Sequence, residues 1–255
     1  MKKVRGIYIK NGAEIALMRE ANRIVSVILD ALGEAVAPGV PTMRFEEIAQ
    51  DMCRRFGVQP AFQGYGGFPF ALCCSVNEEI VHGFPSRERI LREGDIVSFD
   101  MGVIYQGFYG DSARTYPVGA VSALARDLMD VTAQSLARGI EKALAGGNLY
   151  DISRAVQDFV EARGYSVVRR FVGHGIGRKL HEKPEVPNFV PAGMAGPPLK
   201  PGMVLAIEPM VCAGSCEVEI LEDKWTAVTK DRKLSAHFEH TVAVTPEGPV
   251  VLSVS

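Results

Sequence analysis

The chain has no run of about 18 apolar residues, so no membrane-spanning helix is expected. Its basic start, MKKVRGIYIK, lacks the apolar stretch of a secretory signal, and residence in the cytoplasm is the expectation. An excess of one charge is missing too. Net charge is −2 with acids and bases interleaved, which excludes the basic stripe of a nucleic-acid-binding surface. Cysteine is scarce. Cys53, Cys73, Cys74, Cys212 and Cys216 are odd in number and form no C-x-x-C pair, so reduced, mostly buried thiols are expected rather than a disulfide framework or a structural zinc. What is plentiful is apolar character. At 47% of 255 residues it suits one domain, 1–255, built of two halves of about 1–120 and 121–255.

Residues 11–34 place Leu17, Ala21, Ile24, Ile28 and Leu32 at helical spacing, with Asn11 and Glu14 as a capping pair. The segment APGVPT breaks that helix, and Thr42 is expected to cap a second one running to Phe56 before Gly57. Residues 58–118 are rich in glycine, aromatics and β-branched residues and read as strands and hairpins. Residues 122–145 and 148–163 read as helices again, the latter opened by Asn148 and Asp151, and 165–253 returns to strands and loops. A Pro/Gly-rich loop is expected over 184–202.

The order helix, helix, strands therefore occurs twice, and the sequence supports an internal duplication. LREGDIVSFD (91–100) matches LKPGMVLAIE (199–208), an offset of 108 residues, with Leu first, Gly fourth and an acid tenth. Each half also has an acid near the start of its next strand, Asp111 and Glu239. A pseudo-two-fold axis would gather four acids, Asp100, Asp111, Glu208 and Glu239. Four carboxylates brought together repel by roughly 4 kcal/mol per pair at 4 Å and an effective dielectric of 20. Two divalent cations would neutralise them, so a dinuclear metal site is expected.

The five histidines are His82, His174, His181, His237 and His240, and none lies in a segment that reads as helical. A lone histidine is usually a satisfied structural imidazole. His174 stands out because it lies in GHGIG, where small neighbours allow close approach, and it is the best nitrogen ligand. Histidine with carboxylates suits Mn, Fe(II), Co or Zn better than Mg or Ca. His82 and His181 read as groups beside the metal or the substrate. His240 should point opposite Glu239 on a regular strand, and His237 receives no role. GHGIG lacks the spacing and the following helix of a nucleotide loop.

The segments SVNEEIVHGFP, GDIVSFDMGVIYQGFYGDSARTYPVG, GHGIGRKLHEKPEVPNF, PGMVLAIEPM and WTAVTKDRKLSAHFEHTVAVT together resemble the type I methionine aminopeptidases, metallopeptidases of the pita-bread (creatinase-like) superfamily. The resemblance covers nearly the whole chain. It implies an α+β pita-bread fold, with duplicated helix-pair and antiparallel-sheet halves around a central dinuclear metal site. It implies that Asp111 and Glu239 bridge two divalent ions, that His174 and Glu208 complete one and that Asp100 chelates the other. A bridging water or hydroxide is then the nucleophile, Glu208 relays its proton to the leaving amine, His181 stabilises the tetrahedral intermediate and His82 contacts the substrate. The substrate's free α-amine ligates a metal. The family's methionine pocket falls on Tyr65, Phe68, Cys73, Trp225 and Leu180. Leu180 stands where a phenylalanine is common, and Phe62 where many bacterial relatives carry cysteine; both changes reshape the pocket wall and leave the ligands intact. The implied activity is removal of the initiator methionine from nascent chains when the second residue is small, by a monomer in transient contact with the ribosome.

Two other readings compete. A proline-directed aminopeptidase shares the ligand set, but such relatives commonly carry an added N-terminal domain. A pita-bread binding module without catalysis would usually have lost ligands, and all five are present here.

Overall fold

The computed structural model describes residues 2–4 and 6–255 of the chain. Four helices follow the expected order: α1 (Gly12–Glu34), α2 (Met43–Phe56), α3 (Ala123–Glu141) and α4 (Leu149–Glu161). Asn11 and Glu14 cap α1 reciprocally. The Glu14 amide donates to Asn11 Oδ1 at 2.9 Å, and the Asn11 amide to Glu14 Oε2 at 3.0 Å. Asn148 and Asp151 repeat the arrangement on α4. Thr42 differs from expectation. It precedes α2, but its hydroxyl donates to Ser86 O and accepts from the Ser86 amide, so it anchors a distant loop instead of the helix. Helix α3 stops at Glu141, short of 145, and past it Gly146 and Gly147 exchange hydrogen bonds with Leu199. The loop expected from residue 184 begins later, since Glu182–Val186 is a strand.

A nine-stranded sheet takes strands from both halves. Its order is Glu182–Val186, Gly173–Gly175, Val204–Ile207, Glu239–Thr245, Phe108–Pro117, Ile96–Tyr105, Gln59–Pro60, with Leu72–Val76 and Gly248–Val251 branching off it. The halves join where Glu239 pairs with Ala113 and His240 with Ser112. The duplication reappears in the backbone. Pro41, between α1 and α2, bridges Ile90, and Asn148, between α3 and α4, bridges Pro198. Ile90 and Pro198 lie 108 residues apart, the offset of the sequence repeat.

Strand alternation sets the two faces. Val97, Phe99, Met101 and Val103 pack with Ala21, Ile24 and Ile28 of α1. Leu205, Ile207, Val242 and Val244 pack with Leu136 and Ile152 of α3 and α4. Asp100, Glu208 and Glu239 have the opposite parity from these apolar residues. Among the described residues, no helix is long and apolar enough to cross a membrane.

Candidate metal centre

Asp100 and Asp111 lie on the two arms of one hairpin, Ile96–Tyr105 and Phe108–Pro117. Its two-residue turn, Gln106-Gly107, has positive φ at both positions, as a tight antiparallel hairpin requires. Register pairs Asp100 with Ala113 and Gly102 with Asp111, so the two acids are diagonal neighbours on one face. Glu208 follows Val204–Ile207, and Glu239 opens the strand beside Phe108–Pro117. His174 centres Gly173–Gly175. Its flanking glycines are required there: a Cβ at Gly173 would lie 2.3 Å from Ala206 O, and one at Gly175 2.3 Å from Lys183 O.

The His174 ring is oriented by its own strand. Nδ1 lies 3.0 Å from the Gly175 carbonyl, which can only accept, so Nδ1 carries the hydrogen and Nε2 the free lone pair. Nε2 is 3.5 Å from Glu208 Oε1 and 3.8 Å from Asp111 Oδ2. Ligand atoms of Asp111, His174 and Glu239 all lie within 4.8 Å of one another.

The backbones of Asp111, Glu208 and Glu239 are held by hydrogen bonds, while single carboxylate oxygens in the cluster are left without partners. The Asp111 amide donates to Asn22 Oδ1 at 3.1 Å, and Thr241 Oγ1 donates to the Asp111 carbonyl at 2.7 Å. Ser112 Oγ donates to the Glu239 carbonyl at 2.6 Å, and Asn188 Nδ2 to the Glu208 carbonyl at 3.0 Å. Yet Asp100 Oδ1, Asp111 Oδ1 and Glu239 Oε1 are buried with no hydrogen-bond partner. Burial raises the Asp100 carboxyl to about 7. Burial, then repulsion from neighbouring carboxylates, pushes Asp111, Glu208 and Glu239 well above the usual range. Burial also holds the imidazoles neutral, lowering His82 to about 4 and His174 and His237 to about 3. Among the described residues, no lysine or arginine lines the cavity to offset the acids. Bare buried oxygens, a lone imidazole lone pair and missing cationic side chains fit divalent metal ions at this position.

The cavity holds about 200 Å³, smaller than a drug-sized pocket and suited to one amino-acid side chain. Every site residue expected from the sequence lines it. The metal-ligand candidates Asp100, Asp111, His174, Glu208 and Glu239 form one end. At the rim, His181 Nδ1 lies 2.7 Å from the Tyr65 hydroxyl, and its ring meets His174 edge-on at 4.3 Å. His82 has φ of +61°, a strained conformation for a non-glycine residue, and packs edge-on against Phe171 and Trp225. The apolar wall is formed by Phe68 against Trp225 at 5.2 Å, with Cys73, Leu180 and Phe62 buried around it. Phe62 packs over Gly102, where a Cβ would sit 2.9 Å from its ring.

Val81, Phe171, Val172 and Met210 also line the cavity and were not singled out from the sequence. Each adjoins a motif that was, so neighbouring positions on strands and loops around His82, His174 and Glu208 were the available signal. His240 turns away, with Nδ1 2.8 Å from Ser253 Oγ, as strand alternation required. Of the cysteines, Cys53, Cys73, Cys74 and Cys212 are buried, Cys216 is half-buried, and all five are free.

The family model for metallopeptidase family M24 matches residues 16–246. The methionine aminopeptidase of Clostridium perfringens is 52% identical over 248 residues, which cover 97% of this chain and 99% of that protein. The crystal structure of methionine aminopeptidase from Thermotoga maritima superposes with a TM-score of 0.95 at 44% identity, covering 98% of this chain and 100% of that one. Prolidase from Pyrococcus furiosus superposes at 0.78 with 23% identity, covering 97% of this chain and 65% of that one, a likeness of fold alone. The duplicated halves around a central acidic cavity are thus the pita-bread fold, and the chain belongs to metallopeptidase family M24, among its methionine aminopeptidases.

Proposed function

We propose that this chain removes the N-terminal methionine of nascent proteins and peptides when the second residue is small, using two divalent ions drawn from Mn, Fe(II), Co and Zn. The observation that carries this reading is the meeting of five metal-ligand candidates and an apolar, aromatic wall in one cavity sized for a single side chain. Asp111 and Glu239 would bridge the ions, His174 and Glu208 would hold one, and Asp100 the other. Such ions polarise a scissile carbonyl and lower the pKa of a bound water from 15.7 to about 7.

The chain's own groups do the rest. Phe68, Trp225, Cys73, Leu180 and Phe62 bind the methionine side chain, and Tyr65 closes the rim. Glu208 accepts the proton of the attacking water and delivers it to the leaving amine. His181, oriented by Tyr65, donates a hydrogen bond to the developing oxyanion. His82, held by its strained backbone, contacts the substrate beside the scissile bond. A proline-directed activity is not favoured, because the relatives of high identity over their full length are methionine aminopeptidases.

The test is mass-spectrometric cleavage of peptides starting Met-Ala, Met-Gly, Met-Leu, Leu-Ala and Ala-Pro, after metal stripping and re-addition of Mn, Fe(II) or Co. Metal-dependent loss of methionine before Ala and Gly, with the other three intact, is the expected result. Cleavage before proline, or no cleavage with any metal, would overturn the reading.

A further inference from the structure

Of the two histidines left without work by the proposed reaction, His240 pairs with Ser253, and His237 lies against the site. It lies in the strand Ser235–His237, which pairs with Met210–Cys212, and it is 1% exposed. Its Nε2 is buried with no hydrogen-bond partner. Buried polar groups are nearly always paired, and an isolated one needs an explanation. The backbone cannot withdraw to supply one, because Thr115 Oγ1 accepts from the His237 amide at 2.9 Å and donates to its carbonyl at 2.8 Å. Ser98 Oγ fixes that threonine in turn, at 2.8 Å.

Glu208 Oε2 lies 3.9 Å from His237 Nε2. On the other side of the same carboxylate, His174 Nε2 lies 3.5 Å from Oε1. Glu208 therefore stands between two imidazoles, one facing each oxygen. The two are not equivalent. His174 gives its ring hydrogen to Gly175 on Nδ1 and offers Glu208 a lone pair. A favourable contact from His237 must then be a donor, and a neutral imidazole has one ring N–H to give. Closing the gap by about 1 Å brings the pair to hydrogen-bonding distance. Asn188 holds the Glu208 carbonyl, so the approach would come from the Glu208 side chain.

We propose that His237 is a positioning residue for Glu208, its Nε2–H donating to Oε2 so that Oε1 is presented to the metal position and the attacking water. This rests on the role given to Glu208 above. A leucine at 237 would fill the space without the donor, whereas glutamine keeps an N–H at similar reach.

Two measurements test it. In uniformly ¹⁵N-histidine-labelled protein loaded with zinc, the His237 ring should appear as the Nε2–H tautomer, with its signal displaced by Glu208→Gln. An Nδ1–H tautomer with Nε2 bare would overturn the proposal. In calorimetric titration with manganese, His237→Leu should weaken binding by about 10–100-fold, the range typical of losing a group that orients a metal ligand. It should lower kcat by a similar factor with KM changed less than about twofold, and His237→Gln should recover most of both losses. Equal behaviour of the two variants, intact or damaged, would sink the idea. Should the leucine variant fail to fold, the tautomer in the unmodified protein decides. If the unmodified protein cleaves no methionyl peptide, the proposed activity fails, while tautomer and manganese affinity still judge His237 separately.

Discussion

Glu208 answers to two opposed demands. Burial and the nearby Asp100 and Asp111 make its charge costly in the metal-free protein, yet the proposed reaction needs that carboxylate to take up and hand on a proton. Glu208→Gln separates the two. Turnover of a Met-Ala peptide should fall by about 10²–10⁴-fold, the usual contribution of general acid–base catalysis. The metal-free melting temperature should stay level or rise, since a buried carboxyl that is costly to ionise becomes a neutral amide. Near-native turnover would remove Glu208 from its role, and a collapsed melting temperature would make it a structural residue. At this scale the candidate ligands were legible in sequence for a physical reason. Asp100 and Asp111 interrupt apolar strands, where a carboxylate without a counter-charge is too costly to keep. Glu208 and Glu239 were legible through the repeat. The position of His237 was not, because its facing group depends on how Ser235–His237 pairs with Met210–Cys212, a register that local sequence does not state. Thr42 misled for a similar reason: a hydroxyl before a helix caps it only if no better partner arrives, and Ser86 arrives from 44 residues away.

Elements place the groups of the candidate site through contacts that are long in sequence. The turn 177–182 carries Leu180 and His181 into the cavity, and it is fastened from below by Lys10. Lys10 Nζ meets Glu182 Oε2 at 2.7 Å, with both side chains almost wholly buried. Glu182 Oε1 accepts from the amides of Arg178 at 2.9 Å and Lys179 at 3.3 Å, so one carboxylate ties the turn to itself and to the segment before α1. Gly177 leaves room for the pair, since a Cβ there would lie 2.5 Å from Lys10 Cε. Removing one member of a buried pair strands the other, and Lys10→Met should cost about 3–5 kcal/mol in urea unfolding. A cost under about 1 kcal/mol would show that water reaches Glu182 and that the turn stands without Lys10. In sequence, Lys10 closes the basic run MKKVRGIYIK and reads as solvated. Helices, by contrast, were legible almost to the residue where local chemistry decides, at the Asn11–Glu14 and Asn148–Asp151 caps. They were not where a distant segment intervenes, as Leu199 does beyond the end of α3.

For the whole molecule, the duplication and the metal are one problem. Two halves each bring two acids to the join of a single sheet, so the fold concentrates like charge at its centre and depends on cations or protons to offset it. The pH dependence follows with a definite sign. The Asp100 carboxyl sits at about 7 in the folded, metal-free chain, against about 4 when unfolded. Between those values the folded chain keeps a proton that the unfolded chain has released. The stability this group contributes is therefore full below about pH 4 and is lost as pH rises through 7. Asp111, Glu208 and Glu239 are shifted in the same direction. A bound divalent ion takes the place of those protons, so its stabilisation must grow with pH across the same window. His174 does not oppose this, because its ring stays neutral down to about 3. The melting-temperature difference between manganese-loaded and chelator-stripped protein should widen steadily from pH 5 to pH 7.5, and manganese binding at pH 6 should release protons, read from titrations in buffers of different ionisation enthalpy. A difference that is flat or narrows with pH, with no proton release, would mean that the four carboxylates are already ionised without metal. The cavity would then have to be hydrated enough to hold them so, and the charge repulsion that points to a metal centre would be lost.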